Sequence, residues 1–298
     1  MNNYNKLEEI CKKYGAKFER NATLSAYTTF KIGGACDFLV KVNNVELLQK
    51  IVQSGVNYHI IGNGSNVLVS DEGVRCAVLL IGSDFADIDM PGACVVANAG
   101  ARLTSACIIA RDNALTGLEF AYGIPGTVGG AVYMNAGAYD GEISQVLYEI
   151  EYLDEDGEIK RLDTRYTEDF AYRKSPFTGT KKIILSAIFA LTHGDKTQIT
   201  AKMNDFMNRR KSKQPLEFPS AGSTFKRPEG DYASRLIDVC GLKGFSVGGA
   251  QVSEKHAGFV INKGGATCGD VLKLIEAVKE RVYKETGIML EKEVEVLG

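Results

Sequence analysis

Apolar residues along this chain switch repeatedly between helical and strand spacing, and the switches outline its elements. Leu7–Tyr14 reads as a short helix, Phe38–Val42 as a strand, and Val45–Ser54 as a helix with Leu47, Leu48, Ile51 and Val52 on one side. Asn57–Ile61, Val67–Val69, Cys76–Ile81 and Ala93–Ala97 read as strands, and Leu103–Asn113 as a helix. Leu147–Leu153 and Glu158–Leu162, joined by a segment ending in Asp156-Gly157, predict a β-hairpin, and Ile183–Leu191 a further strand. Beyond the polar stretch His193–Lys196, a plausible domain boundary, Ile199, Met203, Phe206 and Met207 form a helical stripe that ends near Pro215. Val271, Leu274, Ile275, Val278 and Val282 line one face of a last helix, with Thr267 and Asp270 as its capping box and Gly287 as its stop. The tail Ile288–Leu297 alternates, setting Leu290, Val294 and Val296 apart from Glu291, Glu293 and Glu295. Together these predict an α+β architecture: mixed strands in the first two thirds, then a carboxy-terminal α/β domain.

The segment that fits neither period is the most informative. Gly117–Glu142 carries seven glycines interleaved with Ile124, Val128, Val132, Tyr133 and Met134, so it is no flexible linker. It is either a tightly turned buried loop or a backbone wall against a flat or phosphorylated ligand. GNGSN at 62–66 follows an apolar strand and offers consecutive N–H groups suited to an anion. A plain strand-ending turn explains it equally well in isolation; the second glycine run tilts the balance towards one loop for phosphates and one for a ring. It is neither a dinucleotide fingerprint, whose third glycine is missing, nor a phosphate loop ending in Gly-Lys-Ser/Thr.

Composition narrows the class. At 298 residues, 45% apolar and 24% charged, the chain reads as a globular protein of two or three domains. A net charge of −2 argues against a general nucleic-acid or membrane-surface binder. No apolar run approaches the roughly 20 residues that span a bilayer. MNNYNKLEEI lacks a signal-peptide layout. Seven scattered cysteines without C-x-x-C fit free thiols in a reducing cytoplasm, and the three histidines lack metal-ligand spacing, so no metal is expected. His59, within an apolar strand, reads as structural.

Gly244-Phe-Ser-Val-Gly248 matches a nucleophile-elbow pattern, but Tyr232–Cys240 before it looks helical, and His256 follows too closely for a triad. The hydrolase reading is rejected. Arg209–Lys213 suits either a phosphorylated ligand or a solvated helix end.

The motifs TTFKIGG (28–34), IGNGSNVLVSDEG (61–73), GLEFAYGIPGTVGGAVYMNAGAY (117–139), AYRKSPF (171–177), FPSAGSTFKRP (218–228), SRLIDVCGLKGFSVGGAQVSEKHAGFVIN (234–262) and LEKEVEVLG (290–298) occur in order. In them the chain resembles the UDP-N-acetylenolpyruvoylglucosamine reductase family of bacterial cell-wall synthesis, in its shorter form without the substrate-capping loop. The resemblance implies a two-lobed FAD-binding domain of the vanillyl-alcohol-oxidase (PCMH) type, lobes 1–84 and 85–193, with a substrate-binding domain at 194–298. It implies that Gly62, Asn63, Gly64, Ser65 and Asn66 take the FAD pyrophosphate, and that Ile124, Pro125, Gly126, Thr127, Gly129, Gly130, Asn135 and Gly137 wall a non-covalent flavin. NADPH would reduce the flavin, and hydride would pass from N5 to the enolpyruvyl carbon. Arg173 would stabilise the developing charge, Glu293 would orient or protonate around the enol oxygens, and Ser223 would deliver the proton. Tyr172, Lys226 and His256 would line a pocket shared in turn by NADPH and substrate. The chain is expected to be a cytoplasmic monomer without nucleic-acid or membrane partners. Another FAD enzyme of the same fold, an oxidase of sugars or alcohols, is the competing reading.

Overall fold

Local signals begin and end most elements. Asn44 accepts the Leu47 N–H at 2.7 Å and starts the helix Val45–Gln53. Thr267 and Asp270 close a reciprocal capping box on the helix Cys268–Thr286, and Gly287, at φ 74°, ends it. In the hairpin Leu147–Leu153/Ile159–Asp163, the Asp154 carboxylate accepts from the Asp156 and Glu158 N–H groups while Gly157 takes φ 82°.

The computed structural model describes residues 3–298; Met1 and Asn2, the first residues of the amino-terminal segment MNNYNKLEEI considered above, lie outside the described residues. The chain forms two compact units. One comprises the residues up to Arg20, Phe38–Asn63 and Cys76–Arg209; the other comprises Asn21–Asp37, Gly64–Arg75 and Arg210–Gly298.

In the first unit, Ile159–Asp163, Leu147–Leu153, Ile183–Ala190, Cys94–Asn98 and Ile88–Asp89 form an antiparallel sheet in that order. The helices Leu103–Asp112 and Val128–Tyr133 lie against it, and Val95, Ala97, Ala106, Val132, Ile150 and Phe189 share its core. Tyr58–Ile61 runs parallel to Val74–Leu80 within a four-stranded sheet completed by Ala35–Lys41 and Lys17–Thr23. Leu7, Cys11, Leu47, Leu48 and Ile51, from the helices Asn3–Lys13 and Val45–Gln53, join this core.

In the second unit, Ser246–Val247, Ala250–Val252 and Val260–Asn262 form an antiparallel sheet. The helix Cys268–Thr286 packs on it through Val271, Leu274, Ile275, Val278 and Val282, with Leu236 and Ile237 of Ala233–Val239 in the same core. Separately, Glu295–Leu297 pairs in parallel with Val67–Val69.

The α+β reading holds, and four details differ. Lys17–Thr23 is a strand that its polar, largely exposed sequence does not announce. The glycine run contains a short helix, Val128–Tyr133, begun by Thr127. The alternating tail is a strand only over Glu295–Leu297. His59 is exposed on its strand and fills no core position. A helix, Ala233–Val239, does precede Ser246, as the rejection of the hydrolase reading requires. No helix among the described residues is long and apolar enough to cross a membrane.

Thr267→Ala removes the cap of the last helix. It should cost about 1 kcal/mol, read as a fall of roughly 2–4 °C in the melting of the second unit; an unchanged melting profile would contradict the capping assignment.

Candidate active site

In the first unit the two glycine segments are adjacent. The Asn63 Nδ2 donates to the Pro125 carbonyl at 2.7 Å, and a Cβ on Gly62 would collide with the Thr127 hydroxyl. Thr127 is buried, and its hydroxyl accepts the Gly130 N–H at 3.3 Å, which starts the short helix. Ile124, Pro125 and Gly126 form the turn before it, with the Gly126 carbonyl accepting from the Leu103 N–H at 3.0 Å. The glycines of this helix differ in their surroundings. A Cβ on Gly129 would stand 2.8 Å from the Ala99 Cβ, so helix–sheet packing already requires glycine there. Gly130 is exposed, and its Cβ would meet only the Thr127 hydroxyl, at an ordinary 3.4 Å.

Further along, Asn135 is fully buried at φ 40°. Its Oδ1 accepts the Ser144 N–H at 2.9 Å, and its Nδ2 donates to the Ala171 carbonyl at 3.0 Å. Ala171 and Lys174 bridge in antiparallel fashion around Tyr172 and Arg173. Arg173 sits at φ 55°, a left-handed conformation that costs of order 1–3 kcal/mol and persists where the surroundings enforce it. Its Nη2 donates to the Gly137 carbonyl at 3.2 Å, and its guanidinium lies 4.8 Å from the centre of the exposed Tyr172 ring. Asn135, Gly137, Tyr172 and Arg173 therefore form one cluster.

In the second unit Gly64, at φ 59°, is buried so tightly that a Cβ would strike the Tyr27 carbonyl. Asn66 donates from Nδ2 to the Glu293 carbonyl at 3.2 Å, and its own carbonyl accepts the Glu295 N–H at 2.9 Å. The Glu293 N–H in turn donates to the carbonyl of Thr224, next to Ser223, at 2.8 Å, and the Lys226 N–H donates to the Glu291 carbonyl at 2.8 Å. Ser223, Lys226 and Glu293 are thus carried on neighbouring strand-like segments, bridged at Phe225 and Lys292. Ser223 is half-buried, and among the described residues its hydroxyl has no protein partner. The Lys226 ammonium pairs with Glu291 at 3.2 Å. His256 accepts the Gly258 N–H on Nδ1 at 3.2 Å, leaving Nε2 as the donor nitrogen of a neutral ring. Burial, together with Lys243 and Lys213, holds its pKa below the usual histidine value. Among the described residues no cluster of His, Cys, Asp and Glu could hold a metal ion, and the cysteines are free.

Comparison with known proteins identifies the chain. An FAD binding domain model matches residues 36–163, and the model for the carboxy-terminal domain of UDP-N-acetylenolpyruvoylglucosamine reductase matches 214–297. The reductase of that name from Clostridium novyi is 46% identical over 98% of this chain and 95% of its own. That of Clostridium botulinum strain Hall is 47% identical over 92% and 90%. The chain belongs to the UDP-N-acetylenolpyruvoylglucosamine reductase family. A crystal structure of UDP-N-acetylenolpyruvylglucosamine reductase from Thermus caldophilus matches at TM-score 0.83 with 37% identity, over 95% of this chain and all of that one. A Phl p 4 variant, a glucose oxidase, shares the fold at TM-score 0.51 with 11% identity, over 97% of this chain and 64% of its own.

The residues present fit FAD. Among the described residues, the N–H groups of Gly62 and Asn63 in the first unit, and of Gly64 and Ser65 in the second, donate to no protein acceptor. Gly64 is buried, so its N–H calls for a ligand acceptor. The phosphate side of a dinucleotide supplies such acceptors.

Sequence reading missed the residues that hold these loops. Glu119 is 3% exposed, accepting from the Thr116 hydroxyl at 2.5 Å and the Gly117 N–H at 3.0 Å, with Lys202 3.9 Å away. Burial pushes its pKa up, but those donors prevail and hold it below the usual value. Its signal was present: an acid set between Leu118 and Phe120 near the start of the glycine run. The Asp71 carboxylate accepts the Cys268 and Gly269 N–H groups at 2.8 and 2.9 Å, capping the last helix from a distant segment that no periodicity connects. Of the basic cluster, Arg209 pairs with Asp205 one turn back at 2.8 Å, and Arg210 bonds Gln214 at 3.3 Å.

The two helix glycines separate packing from ligand contact. Gly129→Val should lower stability by about 1–3 kcal/mol through overpacking against Ala99. Gly130→Val should leave the melting of flavin-stripped protein within about 2 °C of the parent, yet yield protein depleted of its 450-nm chromophore. Full flavin content in Gly130→Val would remove that residue from the ring wall.

Proposed function

We propose that this chain reduces UDP-N-acetylglucosamine enolpyruvate to UDP-N-acetylmuramate, with FAD as the bound cofactor and NADPH as the electron source. The observation that carries this reading is the end-to-end likeness to reductases of that name, which covers both the FAD binding domain match at 36–163 and the carboxy-terminal segments bearing Ser223 and Glu293.

Bound FAD supplies the two-electron relay between NADPH and the enolpyruvyl double bond. The chain's own residues bind, orient and protonate. The N–H groups of Gly62–Asn66 take the pyrophosphate; Ile124–Thr127, Gly129, Gly130, Asn135 and Gly137 form the wall on the ring side. When hydride reaches the terminal carbon of the substrate, negative charge spreads onto the neighbouring carbon and its carboxylate. Arg173 is assigned to that charge, and a donor placed opposite it contributes ~3–4 kcal/mol to the transition state. Its anchor on Gly137 fixes the guanidinium before substrate arrives, so no reorganisation is needed as the charge appears. Ser223 gives its proton to the adjacent carbon; a hydroxyl is a weak acid, but an enolate is basic enough to accept from it. Glu293 orients the enol oxygens and restores the serine proton. Tyr172 of the first unit, and Lys226 and the Nε2–H of His256 of the second, are assigned to the remaining polar groups of the nucleotide sugar and of NADPH, which bind in turn.

Seven free thiols support a cytoplasmic setting, and the chain is read as a monomer organised as lobes 1–84 and 85–193 with a substrate domain at 194–298. The competing oxidase reading rests on fold likeness alone, whereas the reductase match includes the carboxy-terminal domain.

Ser223→Ala tests the assignment. Flavin reduction by NADPH should stay nearly intact, while reoxidation by the enolpyruvyl substrate slows at least ~100-fold. Stopped-flow traces with both half-reactions slowed equally would take Ser223 out of the proton-donor role.

A further inference from the structure

The second half of the GNGSN loop and the segments bearing Ser223 and Glu293 belong to one hydrogen-bonded network. Asn66 holds Glu293 from both directions: Nδ2 donates to the Glu293 carbonyl at 3.2 Å, and the Asn66 carbonyl accepts from Glu295, two residues on, at 2.9 Å. Glu293 then donates to the Thr224 carbonyl at 2.8 Å. A second route runs through Thr29. Its N–H donates to the Gly64 carbonyl at 3.1 Å, and its hydroxyl donates to the Ser220 carbonyl at 2.7 Å, three residues before Ser223. Both routes start on residues whose neighbouring N–H groups face no protein acceptor, and both end within three residues of the reacting side chains.

We propose that Asn66 and Thr29 are positioning residues that couple occupation of the cofactor's phosphate loop to the placement of Glu293 and Ser223. The inference rests on the catalytic roles given to Ser223 and Glu293 above. The physical ground is that a tight loop has few backbone arrangements. Fixing Gly64–Asn66 around a pyrophosphate fixes the Gly64 and Asn66 carbonyls and the Asn66 amide, hence the two segments tied to them. Neither link is an ion pair, so the coupling should persist across pH and salt.

Asn66→Asp keeps the size of the side chain but sets an acceptor against the Glu293 carbonyl. Thr29→Val keeps the shape and the N–H bond to Gly64 while removing the hydroxyl, with its tie to Ser220 and its longer 3.4 Å contact to the Gly64 carbonyl. In FAD-saturated holoenzyme, Thr29→Val should leave flavin reduction by NADPH within about twofold of the parent, and both variants should slow reoxidation by the enolpyruvyl substrate at least ~10-fold and more than they slow reduction, with the substrate KM within about threefold. Combining Asn66→Asp with Glu293→Gln should add little beyond Glu293→Gln alone, because the two act on one group. Weaker FAD binding in both variants with normal reoxidation at saturating FAD would overturn the coupling and leave a simple cofactor contact. Equal slowing of both half-reactions, or full additivity with Glu293→Gln, would overturn it too. Ser223→Ala and Glu293→Gln serve as the reference: if neither slows reoxidation, the catalytic reading itself fails. If they do and the positioning variants do not, only the coupling fails.

Discussion

The pairing of Glu295–Leu297 with Val67–Val69 is the constraint on which the second unit depends. It joins the end of the chain to a segment far away in sequence, and few backbone bonds hold it. What makes it specific is its surroundings. Leu68 and Val294 are buried beside it, the Ser70 N–H donates to the Leu297 carbonyl at 2.8 Å, and Asp71 caps the helix Cys268–Thr286 immediately afterwards. A carboxylate at a helix N-terminus satisfies orphan N–H groups and meets the positive end of the dipole. One short segment, 66–71, therefore sets the register of the terminal strand and one end of the last helix. Because Glu293 lies just before that strand, its position follows from the same pairing.

In the first unit Asn135 has a comparable part. Fully buried, it ties the turn at Ser144 to the tight turn at Ala171–Lys174, on which Arg173 is held in a left-handed conformation. Left to itself, an arginine would leave that conformation. The bridge on either side and the bond to Gly137 keep it there, so the orientation of the guanidinium is set by the fold. Strain in a residue with a proposed catalytic role is thus matched by bonds from a segment with a proposed cofactor role.

Periodicity made the helices and the antiparallel sheet readable, since Leu47, Leu48 and Ile51, or Val271, Leu274, Ile275 and Val278, can be buried together only on one helical face. Lys17–Thr23 was not readable because its side chains are mostly exposed and carry no alternation; its place comes from backbone pairing, with Phe18 stacked on Phe38 at 5.3 Å. The helix Val128–Tyr133 was hidden because Gly129 and Gly130 argue against helix by propensity, and only its packing on Ala99 explains a glycine there. Motif resemblance named the candidate residues, but it did not distinguish a glycine facing the protein from one facing outwards. It could not show Asp71 or Thr29 at work either, because their partners lie up to two hundred residues away and leave no local trace.

Four of the ties between these motif segments share one chemistry. Asn63 donates to Pro125, Asn66 to Glu293, Asn135 to Ala171 and Asn262 to Phe30, each from a side-chain amide to a remote backbone carbonyl, at 2.7 to 3.2 Å. Charged side chains would reach as far, but buried charge demands a partner and carries a heavy desolvation cost. They would also alter the field felt by anionic ligands. An amide does neither: it is neutral at every working pH, and its donor matches a carbonyl left over from an irregular loop. Loops that must stay irregular to meet a cofactor leave just such carbonyls unpaired. Asparagine settles them without adding charge, which leaves the electrostatics of the chemistry to the residues proposed for it, Arg173 and Glu293.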